Sequence, residues 1–474
     1  MEFIVWVETR LAGKTLAVQE VTKVNRCASG IASEEIGLTL QDGKDVLKQV
    51  QRSIVQTQVR VQSMASSCCV HCGRTLLVKD IRKRQIRTVF GKIAVSCRRY
   101  IRCTCQGGRP SILWPLGLME LPGSTPELSY LLAKWGSILP YRRAAEMLGE
   151  LLPIADGAVS HATLRRHALA VGARLDQRVT EPDEYDWPES RRDPVPACTR
   201  LIVAIDGTYV RSNLDTGLYQ HYVVAGRIER DGILAGRFAW IARWPGEAEQ
   251  FMKATLVANG WTPQTQVVVL ADGADGLKNL VQAAVGSEPR SILDWFHISM
   301  RLRPIEQMAT KVAVALEDGA PDMAAFVRQR LPNVRHQMWN GQWRPAIARM
   351  RTIYQGTREA ATRIGPAAGE HLQRFRRHLR DLRDYLVNNQ SSLTNYAYAH
   401  RNGLRISSAP AESGMSHVIN QRMGKREPMC WTAEGAHLLL QVRCAVLDGT
   451  LDALFRERYP RFRLTSPALE LPGL

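Results

Sequence analysis

Two short apolar runs in the middle of the chain each end in an acidic residue followed by glycine. Residues 201–205 run into Asp206-Gly207-Thr208, and residues 267–270 run into Ala271-Asp272-Gly273. Apolar runs of this length closed by turn residues read as strands buried on both faces. An unpaired carboxylate is costly to bury at such a strand end. The chain must therefore fold so that the two ends meet around something that neutralises them. The bland reading of each residue is a turn, since Asp-Gly frequently terminates strands. Asp275 is a rival to Asp272.

The surrounding pattern is α/β. Residues 201–205, 219–228 and 237–244 read as three hairpin-type strands, 246–259 as a helix and 267–270 as a fourth strand. Residues 277–285 then read as a helix, and 291–293 as a short fifth strand leading into Asp294-Trp295-Phe296-His297. This order predicts a mixed sheet of the ribonuclease-H type over 200–297. Asp206 on the first strand would then stand beside Asp272 at the end of the fourth, because parallel strands present ligands at their carboxyl ends. Asp294 and His297 fall at the next strand end. His297 either orients a carboxylate or contacts a phosphate, or it simply packs beside Trp295 and Phe296. An Arg-rich helical insertion over 298–405, with Trp339 and Trp343, interrupts this core, and 406–474 complete it with C-terminal helices. Carboxylates gathered in this way suit two divalent ions, Mg²⁺ or Mn²⁺, roughly 3.5–4 Å apart, which clamp the attacking and leaving oxygens of a phosphodiester.

Charge points to the same substrate. The 474 residues carry a formal charge of +18, and cationic excess attracts polyanions. It is concentrated in two places: residues 68–110 hold 11 Lys and Arg against one acid, Asp80, and residues 297–405 hold 18 against 8. Nucleic acid is the expected partner. No apolar run approaches the ~20 residues of a membrane span, and the N-terminal segment Met1-Glu2-Phe3-Ile4-Val5-Trp6-Val7-Glu8 reads as a strand rather than an export signal. No membrane association is expected, and the expected compartment is the cytoplasm. The ten cysteines therefore read as metal ligands or reduced thiols rather than as a disulfide framework.

The front of the chain divides into modules. Residues 1–67 begin as strands and turn helical from Asp45. Residues 68–110 contain Cys68-Cys69-Val70-His71-Cys72-Gly73 and Cys103-Thr104-Cys105, separated by two strands around a glycine turn in Arg87-Thr88-Val89-Phe90-Gly91-Lys92. Tetrahedral Zn²⁺ needs four ligands, and Cys69, Cys72, Cys103 and Cys105 supply them, with Cys68, His71 and Cys97 as substitutes. Residues 111–175 read as helical. Within them Ser160 caps a second helix that projects Arg165 and Arg166, in the manner of a helix-turn-helix. The Pro-rich stretch 176–199 reads as a linker.

Taken in order, Asp206-Gly-Thr-Tyr-Val-Arg, Ala271-Asp-Gly-Ala-Asp-Gly, Ile292-Leu-Asp-Trp-Phe-His and Glu412-Ser through Asn420-Gln-Arg-Met to Met429-Cys-Trp and Gly435-Ala-His-Leu-Leu resemble bacterial insertion-sequence transposases of the ISKra type, a DDE family. The cysteine segment with Arg-Thr-Val-Phe-Gly resembles that family's front module, so the likeness spans roughly 68 to 443. It implies that Glu412, rather than Glu427 or Glu434, is the third catalytic acid, and that Asp294 and His297 border the active site. It also implies binding of element ends and target DNA, strand cleavage and strand transfer, and a homodimer or larger assembly at synapsis. Zinc and helical modules would read the terminal repeats, while Arg374, Arg376, Arg377 and Arg380 of the insertion grip the backbone. Two other readings stand beside it: a metal-dependent nuclease that never joins strands, and a transposase-derived DNA-binding regulator.

Overall fold

The computed structural model describes residues 1–29, 33–105, 107, 111–115, 123–154, 159–180, 195–213, 217–364, 369–407, 416–424 and 429–463. Among these residues it is a mixed α/β structure with three separate sheets. The chain divides into two compact units. One comprises Met1–Val171 with Thr450–Leu469, and the other is centred on Gly172–Gly449.

The first unit opens with an antiparallel hairpin, β1 (Glu2–Leu11) and β2 (Lys14–Asn25), followed by helix α1 (Leu40–Ala65). Thr39 starts that helix through a capping box with Asp42, which satisfies donors that the first turn leaves free. A second hairpin follows, β3 (Val78–Thr88) and β4 (Gly91–Ile101), with the two-residue β5 (Ile112–Leu113) on its edge. Gly91 takes φ +121° at the turn, a conformation open to glycine. One face of the hairpin packs Ile86, Ile93, Val95 and Cys97 against Val55 and Val59 of α1. Helices α2 (Pro126–Ile138), α3 (Tyr141–Leu151) and α4 (His161–Thr180) come next. The late helix Leu451–Arg458 belongs to this unit, where Phe455 and Phe462 pack on the Tyr130 ring.

The second unit is built on a five-stranded sheet: β6 (Arg200–Arg211), β7 (Gln220–Arg230), β8 (Ile233–Trp240), β9 (Gln266–Ala271) and β10 (Arg290–Leu293), with α5 (Glu247–Ala258) and α6 (Asp275–Val285) between. The spatial order is β10-β9-β6-β7-β8. The first three strands form an antiparallel meander, and β9 and β10 run parallel to β6. The third strand starts and stops earlier than expected, because Asp231 (φ +48°) and Gly232 (φ +91°) make a tight turn directly after β7. Alternation sorts the sheet residues. Leu201, Val203, Ile205, Val267 and Val269 pack with Phe251, Leu256, Leu277 and Val281 on one face. Ile202, Ala204, Val268, Leu270 and Ile292 face the helices that follow. These are α7 (Trp295–Leu316), α8 (Pro321–Arg330), α9 (Pro332–Trp339), α10 (Trp343–Ile364), α11 (Gly369–Asn388) and α12 (Tyr396–Arg401). Together they span Trp295 to Arg401.

Helix α13 (Ala433–Leu447) closes this unit. Helix α4 continues to Thr180, into the stretch 176–199 expected to be a linker, of which 181–194 lie outside the described residues. Asp176 is also fixed: His437 Nε2 donates to its Oδ1 at 2.9 Å, and Arg243 donates to its Oδ2 at 2.9 Å. The His437 Nδ1 accepts from the Ile241 N–H at 3.3 Å, which leaves Nε2 as the donor. Burial opposes the Asp176 charge, but His437 and Arg243 outweigh it and hold its carboxyl below the usual range.

Candidate active site and metal centre

The parallel register brings the carboxylates together. Ala204 pairs with Leu270 across β6 and β9, and Leu270 with Ile292 across β9 and β10. Asp206, Asp272 and Asp294 each lie two residues further on, so all three belong to one face; Asp272 and Asp294 follow the ends of β9 and β10, while Asp206 lies inside β6, which runs on to Arg211 against β7. That is the face covered by α7 and α11. Asp206 is half-buried, and its Oδ1 accepts from the Gly207 N–H at 2.6 Å. Burial pushes its carboxyl above the usual range, and the charges of Asp272 and Asp294 push it further, against the Gly207 bond and His297. Asp272 Oδ1 accepts from the Ala274 N–H at 3.0 Å, as a turn residue does. Gly273 follows at φ +91°, where a Cβ would come within 2.6 Å of the Asn389 side chain.

Asp294 has a different place. It is fully buried and caps α7 by accepting from the Phe296 N–H at 2.8 Å, while its Oδ2 lies 3.7 Å from His297 Nε2. His297 remains partly exposed, beside the Phe296 ring. The pair thus borders Asp206 without the open carboxylate face that a ligand needs.

Several neighbours carried no sequence signal. Tyr385 of α11 donates to the Asp272 carbonyl at 2.7 Å, and Tyr396 donates to the Leu293 carbonyl at 2.9 Å. Arg301 of α7 lies over the Tyr385 ring at 4.2 Å. Tyr385 reads from sequence as one more residue of an amphipathic helix, and only the tertiary fold sets it under Asp272. On the other side of Asp206, Gly207 leaves room for the Tyr222 hydroxyl, which a Cβ there would meet at 1.9 Å. Burial and the Asp206 and Asp272 charges raise that phenol.

Glu412 lies outside the described residues, but the chain on either side of it is anchored to this sheet. The Trp295 N–H donates to the Ile406 carbonyl at 2.9 Å, directly beside Asp294. The Trp431 N–H donates to the Arg211 carbonyl at 2.9 Å, and His221 Nε2 lies 3.0 Å from the Trp431 carbonyl. Arg422 is buried with its guanidinium 5.2 Å from the Trp431 ring.

The second site is in the cysteine module. The Sγ atoms of Cys69, Cys72, Cys103 and Cys105 all lie within 4.8 Å of one another, with Cys69–Cys105 at 3.8 Å and Cys72–Cys103 at 3.5 Å. Tetrahedral zinc with bonds of about 2.3 Å requires sulfurs about 3.8 Å apart. These four sulfurs can hold a metal ion such as zinc. Backbone N–H groups of Cys72 and His71 lower the Cys69 thiol to about 6, whereas the neighbouring sulfurs of Cys103 and Cys72 raise Cys105 to about 12. The cluster therefore takes a first negative charge readily and resists a last one, an imbalance that a cation removes. Cys97 is excluded as a substitute ligand because it is buried in the apolar cluster under the hairpin. Cys68 instead pairs with Thr75 in an isolated bridge.

The remaining candidates are scattered. Arg165 and Arg166 are exposed on α4, and Ser160 caps that helix by accepting from the Thr163 N–H at 3.2 Å. On α11, Arg374 pairs with Glu370 and Arg380 with Asp381. Arg376 lies 5.1 Å from the Tyr354 ring, and Arg377 is exposed. Trp339 packs against Trp295, and both Trp339 and Trp343 pack against the buried core of helices α7 to α12. No described helix is long and apolar enough to cross a membrane. No family model matches the chain, and no curated protein matches it.

Proposed function

We propose that the protein is a DDE-type DNA transposase whose second unit is a ribonuclease-H-like polynucleotidyl transferase. The observation that carries this reading is the parallel register of β6 and β9, which ends at Ala204 and Leu270 and leaves Asp206 and Asp272 two residues further on each, with the Asp206 charge opposed by burial and by Asp272. The strand order, an antiparallel meander whose first strand is continued by two parallel strands, agrees with it. Glu412 is the third acid. It lies six residues beyond Ile406, a stretch that spans at most about 20 Å, and Ile406 is bonded beside Asp294.

The donor set is hard oxygen, which suits Mg²⁺ or Mn²⁺. Held by Asp206, Asp272 and Glu412, two such ions would supply Lewis-acid activation of the attacking oxygen and neutralise charge on the leaving one. The chain's own residues set the stage. The Gly207 and Ala274 N–H groups fix one oxygen each of Asp206 and Asp272, leaving the others for a ligand. Asp294 and Tyr385 brace α7 and the Asp272 backbone, and His297 stands where it can contact a phosphate. Water, and later a DNA 3′-hydroxyl, is the nucleophile, so no covalent protein–DNA intermediate forms. The cysteine module with its zinc, the capped helix α4 and the basic insertion bind the DNA ends, and pairing of two ends requires a dimer or larger assembly.

The test is a cleavage assay with labelled DNA carrying the element's own ends and Mg²⁺, comparing wild type with Asp272→Ala. Cleaved and joined products from wild type alone are expected. Cleavage without joined products would instead identify a nuclease, and binding without cleavage by either protein a DNA-binding regulator. Full cleavage by Asp272→Ala would sink the assignment.

A further inference from the structure

The β3–β4 hairpin shows opposite chemistry on its two faces. Arg82, Arg84, Ile86 and Thr88 pair with Cys97, Val95, Ile93 and Gly91 on the inner face. Ile81, Lys83, Gln85 and Arg87 pair with Arg98, Ser96, Ala94 and Lys92 on the outer one. All the outer residues are exposed except Arg87, which is half-buried. Asp80, the single acid of residues 68–110, is already engaged by Arg99 and Arg82. Arg84 and Arg99 also lie over the Trp114 ring at 5.1 and 5.9 Å. These cations serve the fold. Among the described residues, Lys83, Lys92 and Arg98 have no carboxylate partner.

We propose that this outer face is a docking surface for duplex DNA, inserted as a two-stranded ribbon into the major groove. The proposal deepens the transposase reading and rests on it for the nature of the polyanion. Residues 81–87 extend about 20 Å at ~3.3 Å per residue; β5 pairs only with Tyr100 and Ile101, and Ser124 only with Arg87, so between those points the sheet is two strands wide, and a B-form major groove about 12 Å wide admits a two-stranded ribbon. Arg98 stands at one end of the face and Lys92 at the other, with Lys83 between them, where they reach phosphates on the groove walls. The centre is small and neutral: Ala94 and Ser96 leave room for base edges, and Gln85 offers the donor–acceptor pair that reads adenine. Lysines on strand edges commonly block unwanted strand pairing, but these project from the face, where that role is not needed. A-form RNA is a poor fit, because its major groove is deep and narrow. The four cysteines bracket the hairpin at its base, and a bound zinc would hold the ribbon in one orientation.

The test is duplex binding by the zinc-loaded full chain without Mg²⁺, measured from 50 to 200 mM salt. Three proteins are compared: wild type, a variant combining Lys83→Ala, Lys92→Ala and Arg98→Ala, and a control combining Lys14→Ala, Arg60→Ala and Lys253→Ala with the same charge loss. Zinc content and thermal unfolding are checked for each. Each phosphate contact contributes about 0.9 to the slope of log affinity against log salt. The ribbon variant is expected to lose about 2.7 from that slope, so its affinity falls roughly forty-fold less across this range, whereas the control keeps the wild-type slope. Gln85→Ala should alter preference among duplex sequences and leave the slope unchanged. An unchanged slope in the ribbon variant, equal losses in ribbon and control variants, or wild-type binding to RNA as tight as to duplex DNA each overturns the proposal. Because binding is read without Mg²⁺, a protein that binds through the ribbon and never cleaves leaves the docking surface standing and removes only the transposase reading.

Discussion

Asp272→Asn separates a catalytic carboxylate from a turn residue. Asparagine keeps the shape and still accepts the Ala274 N–H, which Asp272 holds at 3.0 Å. What it removes is charge. Adjacent strands stand about 4.8 Å apart, so Asp206 and Asp272 repel with about 3 kcal/mol at an effective dielectric near 20. Asp272 is half-exposed, and solvent screening reduces this to about 1–2 kcal/mol. The Mg²⁺-free variant should therefore be more stable than wild type, by about 2–4 °C per kcal/mol for a unit of this size. With saturating Mg²⁺ the order should reverse, since a ligand at a hundred times its Kd adds about 2.7 kcal/mol to the protein that binds it. Calorimetric melting with zinc retained, with and without Mg²⁺, reads both effects beside the loss of cleavage. A variant that melts lower than wild type without Mg²⁺, yet keeps the Mg²⁺-dependent rise, would refute the reasoning and make Asp272 a structural turn.

Three further outcomes are expected. Metal analysis should find one zinc per chain in wild type and none in Cys72→Ser or Cys105→Ser, while Cys97→Ser keeps the metal and loses stability, because its thiol is buried among apolar side chains. His167 is buried with its Nε2 3.3 Å from Ser124 Oγ, and burial with Arg166 and Arg87 lowers it to about 4 from 6.5. Between those values the unfolded chain binds a proton that the folded one refuses, so stability is complete above pH 6.5 and falls by about 3 kcal/mol toward pH 4; denaturant titrations of His167→Gln should lose that part of the slope. In Gly172→Ala the new methyl would lie 2.2 Å from the Leu438 carbonyl, which forces α4 away from α13 and strains the Asp176–His437 bond; a loss of about 3 kcal/mol or more is expected in urea unfolding, and a near-neutral result would show that the helices separate freely.

What the sequence determined by itself is local. Apolar runs closed by Asp-Gly marked the two strands beside Asp206 and Asp272, because strand burial is a property of a few consecutive residues; the turn that Asp-Gly suggests forms after Ala271, whereas β6 runs through Asp206-Gly207 to Arg211 because β7 pairs with it throughout. The spacing of Cys69, Cys72, Cys103 and Cys105 marked the sulfur cluster, and Ser160 marked the start of α4, for the same reason. The tertiary structure decided what distant residues do to these marks. Asp294 also ends a short apolar strand, though without a following glycine, and it becomes the buried cap of α7. Asp176 sat in a stretch that composition assigned to a linker, until His437, 261 residues away, fixed it in place. Tyr385 reached the Asp272 backbone across 113 residues, and the last helix returned to the first unit. Periodicity, turns and caps are written in short-range sterics and hydrogen bonding, whereas these partnerships depend on which surfaces remain to be buried once every element has formed.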